Sequence, residues 1–212
     1  MRREVHHADA LKWLRPRLAG TSVITSLPDV SELPGLGFDG WRHWFVEAAR
    51  ASLEAIADEG VAVFFQSDIR REGAWIDKAA LVTEAASGYT MLFHKIAWRL
   101  QPGTATLGRA SYAHLLAFAR RPRPLRRAMP DVLEGGPKIA PKAMGREAAV
   151  LACELVRWET PTRTVLDPFC GFGTVLAVAN ALGLDAVGVD SSARMVKKAR
   201  ALQIDLSRRA LP

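Results

Sequence analysis

Cysteine is scarce in this chain, which has only two among its 212 residues. Cys153 and Cys170 stand in apolar surroundings and form no CxxC spacing. The sequence therefore predicts reduced thiols and gives no sign of a disulfide framework or a zinc site. No metal ion is expected.

Long apolar runs are missing as well. The first residues, MRREVHHADALKWL, contain no apolar stretch of the length that a signal peptide requires. Nowhere does the sequence approach the roughly 20 apolar residues of a membrane-spanning helix. We therefore expect a cytoplasmic protein with no membrane contact.

Acidic residues are outnumbered, with 22 Asp and Glu against 29 Lys and Arg, which gives a formal net charge of +7. The excess is largely arginine, whose planar guanidinium suits phosphate better than the point charge of lysine. Composition fits a polyanionic partner and fits equally well a generally basic protein. Apolar residues make up 49% of the chain, enough for a sizeable core, so we expect one domain over 1–212.

Short β-favouring runs alternate with helical periodicity along the chain. The predicted strands are Arg3–His6, Ser22–Thr25, Val61–Gln66, Tyr89–Trp98, Ala113–Ala119, Thr164–Leu166 and Ala186–Val189. The predicted helices are Trp41–Glu59 (ended by Gly60), Asp77–Ala86, Gly145–Trp158, Thr174–Ala181 and Ser191–Leu206. This alternation favours an α/β sheet with right-handed crossovers.

Two features interrupt the alternation. A Gly- and Pro-containing segment, LQPGTATLGRAS, separates the fourth and fifth strands and predicts an antiparallel hairpin at one edge of the sheet. The segment after it, Arg120–Lys138, is rich in arginine, proline and glycine and resists any regular assignment. It divides the chain into 1–119, the linker 120–138, and 139–212.

The stretch TVLDPFCGFGTVLAVANAL combines an apolar strand, an acid, a glycine-rich turn and a helix. In such a turn, backbone N–H groups at the helix start face a ligand, and Gly171 and Gly173 allow an approach that a Cβ would block. About 20 residues later a second strand ends at Asp190, where a carboxylate can accept both hydroxyls of a ribose. A dehydrogenase turn is disfavoured because the third glycine is missing.

These residues resemble the S-adenosylmethionine (SAM) motif of amino-group methyltransferases. DPFCGFGT is similar to that of the DNA N4-cytosine and N6-adenine methyltransferases, and VITSLPD at Val23–Asp29 is similar to their Ser-Pro-Pro-Tyr catalytic tip. The tip precedes the cofactor turn, as in a circularly permuted (beta-like) class. The resemblance implies a Rossmann-like, seven-stranded sheet with 1–119 as the catalytic half and 139–212 as the SAM-binding half.

The resemblance also implies roles for individual residues around SAM. Asp9 contacts the adenine amino group, Asp190 the ribose hydroxyls, and Asp167 the methionine ammonium; Phe169, Gly171, Gly173 and Thr174 line the methionine and ribose side. Asp190 as an ordinary strand-end cap and Asp9 as a helix N-cap are the competing interpretations. Lys142 stands in the place of a family lysine and is equally well explained as a solvated charge.

The tip itself departs from the family, since its four residues are Ser26, Leu27, Pro28 and Asp29. Ser26 and the carbonyl of Leu27 are still able to accept hydrogen bonds from a substrate amine, which orients it for in-line transfer. Asp29 replaces the aromatic residue that stacks on a flipped base, and its carboxylate favours a cationic or proton-donating group of the substrate instead. Phe38, Trp41 and Trp44 are the candidates for a replacement, and core packing explains each of them equally well.

The target-recognition region of the family is reduced here to the basic segment, with Arg120, Arg121, Arg123, Arg126 and Arg127. Such a segment holds phosphates without recognising bases, so RNA is as good a substrate as DNA; a solvated linker is the alternative. Methylation of a cytosine carbon is disfavoured because neither cysteine lies at the tip.

The predicted function is SAM-dependent methyl transfer to an amino nitrogen of a nucleic acid. The alternatives are a protein or small-amine substrate and an inactive SAM-binding subunit, and a homodimer or a protein partner is compatible with either.

Overall fold

The computed structural model describes residues 1–107, 110–140 and 143–207. Ten strands occur in this part of the chain: β1 Arg3–His7, β2 Thr21–Thr25, β3 Val61–Gln66, β4 Ile69–Arg71, β5 Ala74–Ile76, β6 Thr90–Trp98, β7 Tyr112–Ala119, β8 Val132–Glu134, β9 Thr164–Asp167 and β10 Asp185–Asp190. Six α-helices accompany them: α1 Ala10–Trp13, α2 Gly37–Ala55, α3 Lys78–Ala85, α4 Arg146–Glu159, α5 Thr174–Ala181 and α6 Ala193–Ala201.

Eight of the strands form one mixed sheet in the order β1-β10-β9-β2-β3-β7-β6-β8, and β4 and β5 form a separate hairpin. Pairing is parallel from β1 across to β3, and β7 runs antiparallel to its two neighbours, β3 and β6. All seven predicted strands are present and the α/β class is confirmed. The count of seven is wrong, because β8 adds an eighth strand.

Strand β8 also corrects the predicted edge. The hairpin of β6 and β7 is antiparallel, as expected. However, β8 pairs in parallel with β6 and takes the edge position. The segment Arg120–Lys138, expected to be irregular, therefore contributes a short strand to the sheet.

Helices cover both faces of the sheet, and the side chains of β3 alternate between the two apolar clusters beneath them. Val61, Val63 and Phe65 join the apolar cluster under α4 and α5, whereas Ala62 and Phe64 join the cluster under α2 and α3. Side chains of a strand alternate between faces, so an unbroken apolar run such as this is typical of a strand buried on both sides.

Helix α2 is displaced from its predicted position, since it begins at Gly37 and ends at Ala55. Gly60 does not end it, and lies in the turn before β3, where a Cβ would approach the backbone oxygen of Thr21 to 2.5 Å. Helix α6 ends at Ala201, earlier than predicted. No helix in the described ranges is both long and apolar enough to cross a membrane.

Candidate functional site

Four strand ends meet around one cavity of about 790 Å³. Asp9 follows β1, Ser26 follows β2, Asp167 ends β9 and Asp190 ends β10, and all four line the cavity. Because β9 connects onward to β10 on one side and pairs with β2 on the other, this is the carboxyl edge where an open α/β sheet binds ligands. The fold thus brings together residues from both ends of the sequence.

The glycine-rich turn forms one wall of the cavity. Gly171 has φ +50° and Gly173 has φ +83°, a conformation that favours glycine. A Cβ on Gly173 would approach the Cα of Ala199 to 2.7 Å, whereas a Cβ on Gly171 would meet no atom within 4 Å. Gly173 is therefore required by packing against α6, and Gly171 leaves open space beside the cavity.

Thr174, the first residue of α5, is buried and lines the same cavity. Its Oγ1 has no hydrogen-bond partner in the part of the chain that the structure describes. A buried polar atom without a partner is costly. Together with the partial positive charge of a helix start, it indicates a place for a polar, electron-rich ligand group.

Asp167 is buried at the floor of the cavity and 4% exposed. Its Oδ1 accepts hydrogen bonds from Thr25 Oγ1 at 2.8 Å and from the Phe169 N–H at 3.2 Å. Burial raises the pKa of this carboxyl group to about 7, although both hydrogen bonds act in the opposite direction. A carboxylate held in this way is favourably placed to bind a cation.

Asp190 and Asp9 both carry local hydrogen bonds. The Asp190 carboxylate accepts from the Gly171 N–H at 2.9 Å and from the Ser192 N–H at 2.7 Å, so it ties the glycine-rich turn to the end of β10. Asp9 is the N-cap of α1 and accepts from the Leu11 N–H at 3.0 Å. Asp190 therefore caps the end of its strand and Asp9 caps the start of α1, as the competing interpretations predicted. Both side chains also line the cavity.

The tip after β2 is held by buried groups. Leu27 is 3% exposed, and the carbonyl of Pro28 accepts a hydrogen bond from Trp41 Nε1 at 3.1 Å. Asp29 Oδ1 lies 2.5 Å from the Nζ of Lys78, whose side chain is 4% exposed. Asp29 is therefore paired inside the protein, contrary to the prediction that it awaits an external cation.

One of the three predicted aromatic candidates lines the cavity. Trp44 is half-buried there and meets Phe169 edge-on, with ring centroids 5.5 Å apart. Trp41 is fully buried and belongs to the core, and Phe38 stacks on it beneath the guanidinium of Arg71. The core-packing interpretation therefore holds for Trp41, and Phe38 does not line the cavity.

The basic segment begins at the other end of the sheet. It begins after Ala119, which pairs with Val61 at the start of β3, whereas the cavity lies beyond the ends of the parallel strands. Five residue steps of β3 correspond to roughly 17 Å. The arginine-rich start of the segment is therefore remote from the tip, whereas β8 pairs with Ile96–Trp98 and Lys138 lines a small pocket beside Ser26 and Leu27.

Two arginines of this segment bind the protein itself. Arg120 donates to the carbonyls of Glu54 and Ile56, and Arg123 donates to those of Glu59 and Glu159. They tie the segment to neighbouring turns and are not the free phosphate ligands that the sequence suggested. Arg121, Arg126 and Arg127 are exposed.

A small polar pocket of about 40 Å³ adjoins the tip and was not predicted. Ser26 and Leu27 line both cavities, and Gln66 and Lys78 line the small one. Gln66 could have been noticed as the polar end of an otherwise apolar strand, VAVFFQ, whereas Lys78 offered no signal. Lys142 lies outside the described residues.

Among the residues that the structure describes, the remaining reactive side chains form no second reaction centre. Burial raises the pKa of the thiols of Cys153 and Cys170, which makes both poor nucleophiles. Asp68, Asp77 and His114 lie close enough together to hold a metal ion. However, the ring nitrogens of His114 are engaged by Asp68 and His94, each at 2.9 Å.

Comparison with protein families gives one match, in which a family model described as DNA methylase (N6_N4_Mtase) covers residues 154–201. The matched range runs from α4 to α6 and includes Asp167, the glycine-rich turn and Asp190. It spans less than half of the chain. Comparison with curated protein sequences gives no match.

Solved structures match over nearly the whole chain. TTHA0409 from Thermus thermophilus, assigned as a DNA modification methylase and complexed with SAM, has a TM-score of 0.68 at 21% identity, covering 94% of this chain and 93% of that one. The cytosine-N4-specific PvuII DNA methyltransferase has a TM-score of 0.73 at 14% identity, with coverages of 98% and 89%. M1.HpyAVI in its SAM complex has a TM-score of 0.55 at 15% identity, with coverages of 93% and 97%. At these identities the likeness shows the fold, a mixed α/β sheet like that of methyltransferases.

Proposed function

We propose that this protein is a SAM-dependent methyltransferase that acts on an amino nitrogen of DNA. The observation that carries the proposal is the single cavity on which the catalytic tip, Asp167, Asp190 and the glycine-rich turn converge. The choice of DNA is supported by the partial family match and by the names of two of the similar structures, TTHA0409 and the PvuII enzyme.

The residues around the cavity suit SAM chemically. Asp167 offers a buried carboxylate for the ammonium, and Thr174 Oγ1 is a buried group that lacks a partner among the described residues and suits the carboxylate. Asp190 remains the candidate for the ribose hydroxyls, and Asp9 for the adenine amino group. A cavity of about 790 Å³ lies in the range of small-molecule sites.

The proposed permutation follows from the order of these parts. The tip follows β2 early in the chain, and the cofactor strand β9 comes late, yet the two strands are paired neighbours. Within a single domain, 1–119 supplies the catalytic half and 139–212 the SAM-binding half. The segment 120–138 connects them without forming a sizeable recognition domain.

Bound SAM supplies an electrophilic methyl group on a positively charged sulfur. Ser26 Oγ and the Leu27 carbonyl accept hydrogen bonds from the substrate amine and direct its lone pair toward that methyl group. A carbon–nitrogen bond forms as the carbon–sulfur bond breaks; sulfur keeps the electron pair, and the amine releases a proton to solvent. Orientation supplies most of the rate, and no covalent intermediate with the protein is required.

Three alternatives differ in their support. RNA shares the chemistry of the target amine and is distinguished from DNA only by experiment. A cationic protein or small-amine substrate loses its main argument, because Asp29 is already paired with Lys78. An inactive SAM-binding subunit would bind SAM and transfer no methyl group without a partner.

Radiolabelled SAM tests the proposal when purified protein is incubated in parallel with genomic DNA, total RNA and cell protein. Hydrolysis of the labelled polymer to nucleosides then identifies the modified base. Asp190→Asn is the test variant, and Asp185→Asn, an exposed aspartate at the other end of β10, is its matched control. We expect label in DNA that Asp190→Asn loses and Asp185→Asn keeps. Label in protein alone, or in no fraction, contradicts the proposal.

A further inference from the structure

Gln66 ends β3 directly beside the catalytic tip. The parallel register of β2 and β3 pairs Thr25 with Phe64, which sets the following residues Ser26 and Leu27 level with Phe65 and Gln66. Gln66 is 1% exposed and lines the small polar pocket that shares Ser26 and Leu27 with the large cavity. Its side chain therefore lies where the substrate side of the reaction meets the tip.

The amide of Gln66 is incompletely satisfied. Within residues 1–107, 110–140 and 143–207, neither its Nε2 nor its Oε1 has a hydrogen-bond partner, although both atoms are buried. Leaving one buried polar group unpaired costs about 1–3 kcal/mol, and this amide has two such atoms. This cost in folding free energy is better explained by a bound ligand that supplies the missing hydrogen bonds than by a role of Gln66 in folding.

The charged neighbours of Gln66 do not need its amide. Lys78 donates from Nζ to Asp29 at 2.5 Å and from its backbone N–H to Asp68 at 2.9 Å. Asp68 also accepts from Trp75 Nε1 at 3.2 Å and is bonded to His114. None of these hydrogen bonds involves the amide of Gln66, which remains available to a bound molecule.

We propose that Gln66 contacts the substrate base directly and selects amines that lie next to a ring nitrogen. Its Nε2–H donates to that ring nitrogen. Its Oε1 shares one amine proton with Ser26 Oγ in a bifurcated hydrogen bond, and the Leu27 carbonyl accepts the other proton. A primary amide presents a donor and an acceptor side by side, the pattern with which glutamine pairs with adenine. The N–C–NH₂ edge occurs in both adenine and cytosine, and a lysine side chain lacks it.

This inference rests on the proposed function and deepens it by naming the group that distinguishes a base from other amines. The competing explanation is a trapped water molecule that satisfies the amide without any role in recognition. The two explanations predict different effects on stability and on activity when Gln66 is replaced by methionine, an apolar residue of similar size.

Gln66→Met is the test variant, and Gln203→Met, at an exposed position after α6, is its matched control. The substrates are oligonucleotides that contain one target base, either natural or with a C–H group in place of the ring nitrogen beside the amine. Wild-type protein is expected to prefer the natural base by about 10- to 100-fold in kcat/KM. Gln66→Met is expected to lower kcat/KM for the natural base by a similar factor and to abolish the preference, with unchanged SAM affinity.

Thermal unfolding supplies a second measurement, because removal of an unpaired buried amide leaves the melting temperature unchanged or raises it. A lower melting temperature with proportionate loss of active protein assigns Gln66 to the fold and overturns the inference. Equal discrimination by wild type and Gln66→Met overturns it while leaving the proposed function intact. If wild-type protein transfers no label to any base, both proposals fail.

Discussion

Lys78 Nζ lies 2.5 Å from Asp29 Oδ1, and this ion pair joins the start of α3 to the catalytic tip. The two side chains are 4% and 16% exposed, so the pair is largely removed from water. The family that this sequence resembles has an aromatic residue at the position of Asp29. The tip tolerates an acid there because the carboxylate points into the protein and is neutralised by Lys78.

Removing one member of the pair is expected to destabilise the protein strongly. Lys78→Met leaves a buried carboxylate without its cation, and Asp29→Asn leaves a buried ammonium, at a cost of roughly 3 kcal/mol each. The double variant restores neutrality, so its free energy of unfolding should fall by less than the sum of the single losses. Urea unfolding of the wild type, the two single variants and the double variant measures this coupling. Strict additivity would show that the pair contributes nothing.

The pKa of Asp167, raised to about 7 by burial, gives a pH dependence with a definite sign. Between about pH 4 and pH 7 the folded chain keeps a proton that the unfolded chain has released, so the free energy of unfolding falls as pH rises through this window. Above pH 7 both states are ionised and this contribution is constant. Asp167→Asn should remove the decline, which urea unfolding across the window measures.

The same group predicts the pH dependence of SAM binding. An ammonium pairs with the ionised carboxylate, so affinity should rise as pH increases toward 7, by at most about tenfold per unit, and then level off. Calorimetric titration between pH 5 and pH 8 measures this profile. Asp167→Asn should bind SAM more weakly and show a flat profile; an unchanged slope in that variant would assign the titration to another group.

Two alanine substitutions in the glycine-rich turn should separate folding from binding. Gly173→Ala places a Cβ 2.7 Å from the Ala199 Cα, so it should lower the free energy of unfolding by several kcal/mol. Gly171→Ala meets no atom within 4 Å and costs only the about 1–2 kcal/mol of a positive φ. Its Cβ enters the space beside the cavity, so SAM affinity should fall. Equal stabilities of the two variants would contradict the packing argument.

Arg123 of the basic segment should matter for stability more than for DNA binding. Arg123→Ala removes two donors to the carbonyls of Glu159 and Glu59, at 3.0 and 2.9 Å, and should cost about 1–3 kcal/mol of unfolding free energy. Affinity for DNA and its dependence on salt should stay unchanged, with Arg121→Ala as the exposed control. A salt slope reduced by about one in Arg123→Ala would show that this side chain contacts a phosphate.

Sequence patterns predicted the main sheet well because its strands are apolar runs bounded by turn residues. Strand β8 escaped prediction for a physical reason: it has three residues, lies among prolines and arginines, and is stabilised by pairing with β6 and by Lys95, which donates to Asp131 at 2.7 Å. The β4–β5 hairpin was also missed, although its sequence, IRREGAWI, carries a signal. Its Glu-Gly pair separates two short runs and forms a turn in which both residues have positive φ.

The candidate site was predictable only as far as each residue carries a local signal. The glycine-rich turn and the strand-ending Asp167 and Asp190 have one, and the structure places them together. The partner of Asp29 is 49 residues away in the chain, and the choice among Phe38, Trp41 and Trp44 depends on which face of α2 turns toward the cavity. Those relationships arise from packing between distant segments.

Calorimetric titration of SAM into the purified chain tests the central claim most directly, because binding at the strand ends precedes any choice of substrate. We expect one SAM molecule per chain, with binding lost in Asp190→Asn and retained in Asp185→Asn. Absence of binding to the folded wild-type protein, or equal binding by both variants, would contradict the assignment of this cavity to SAM.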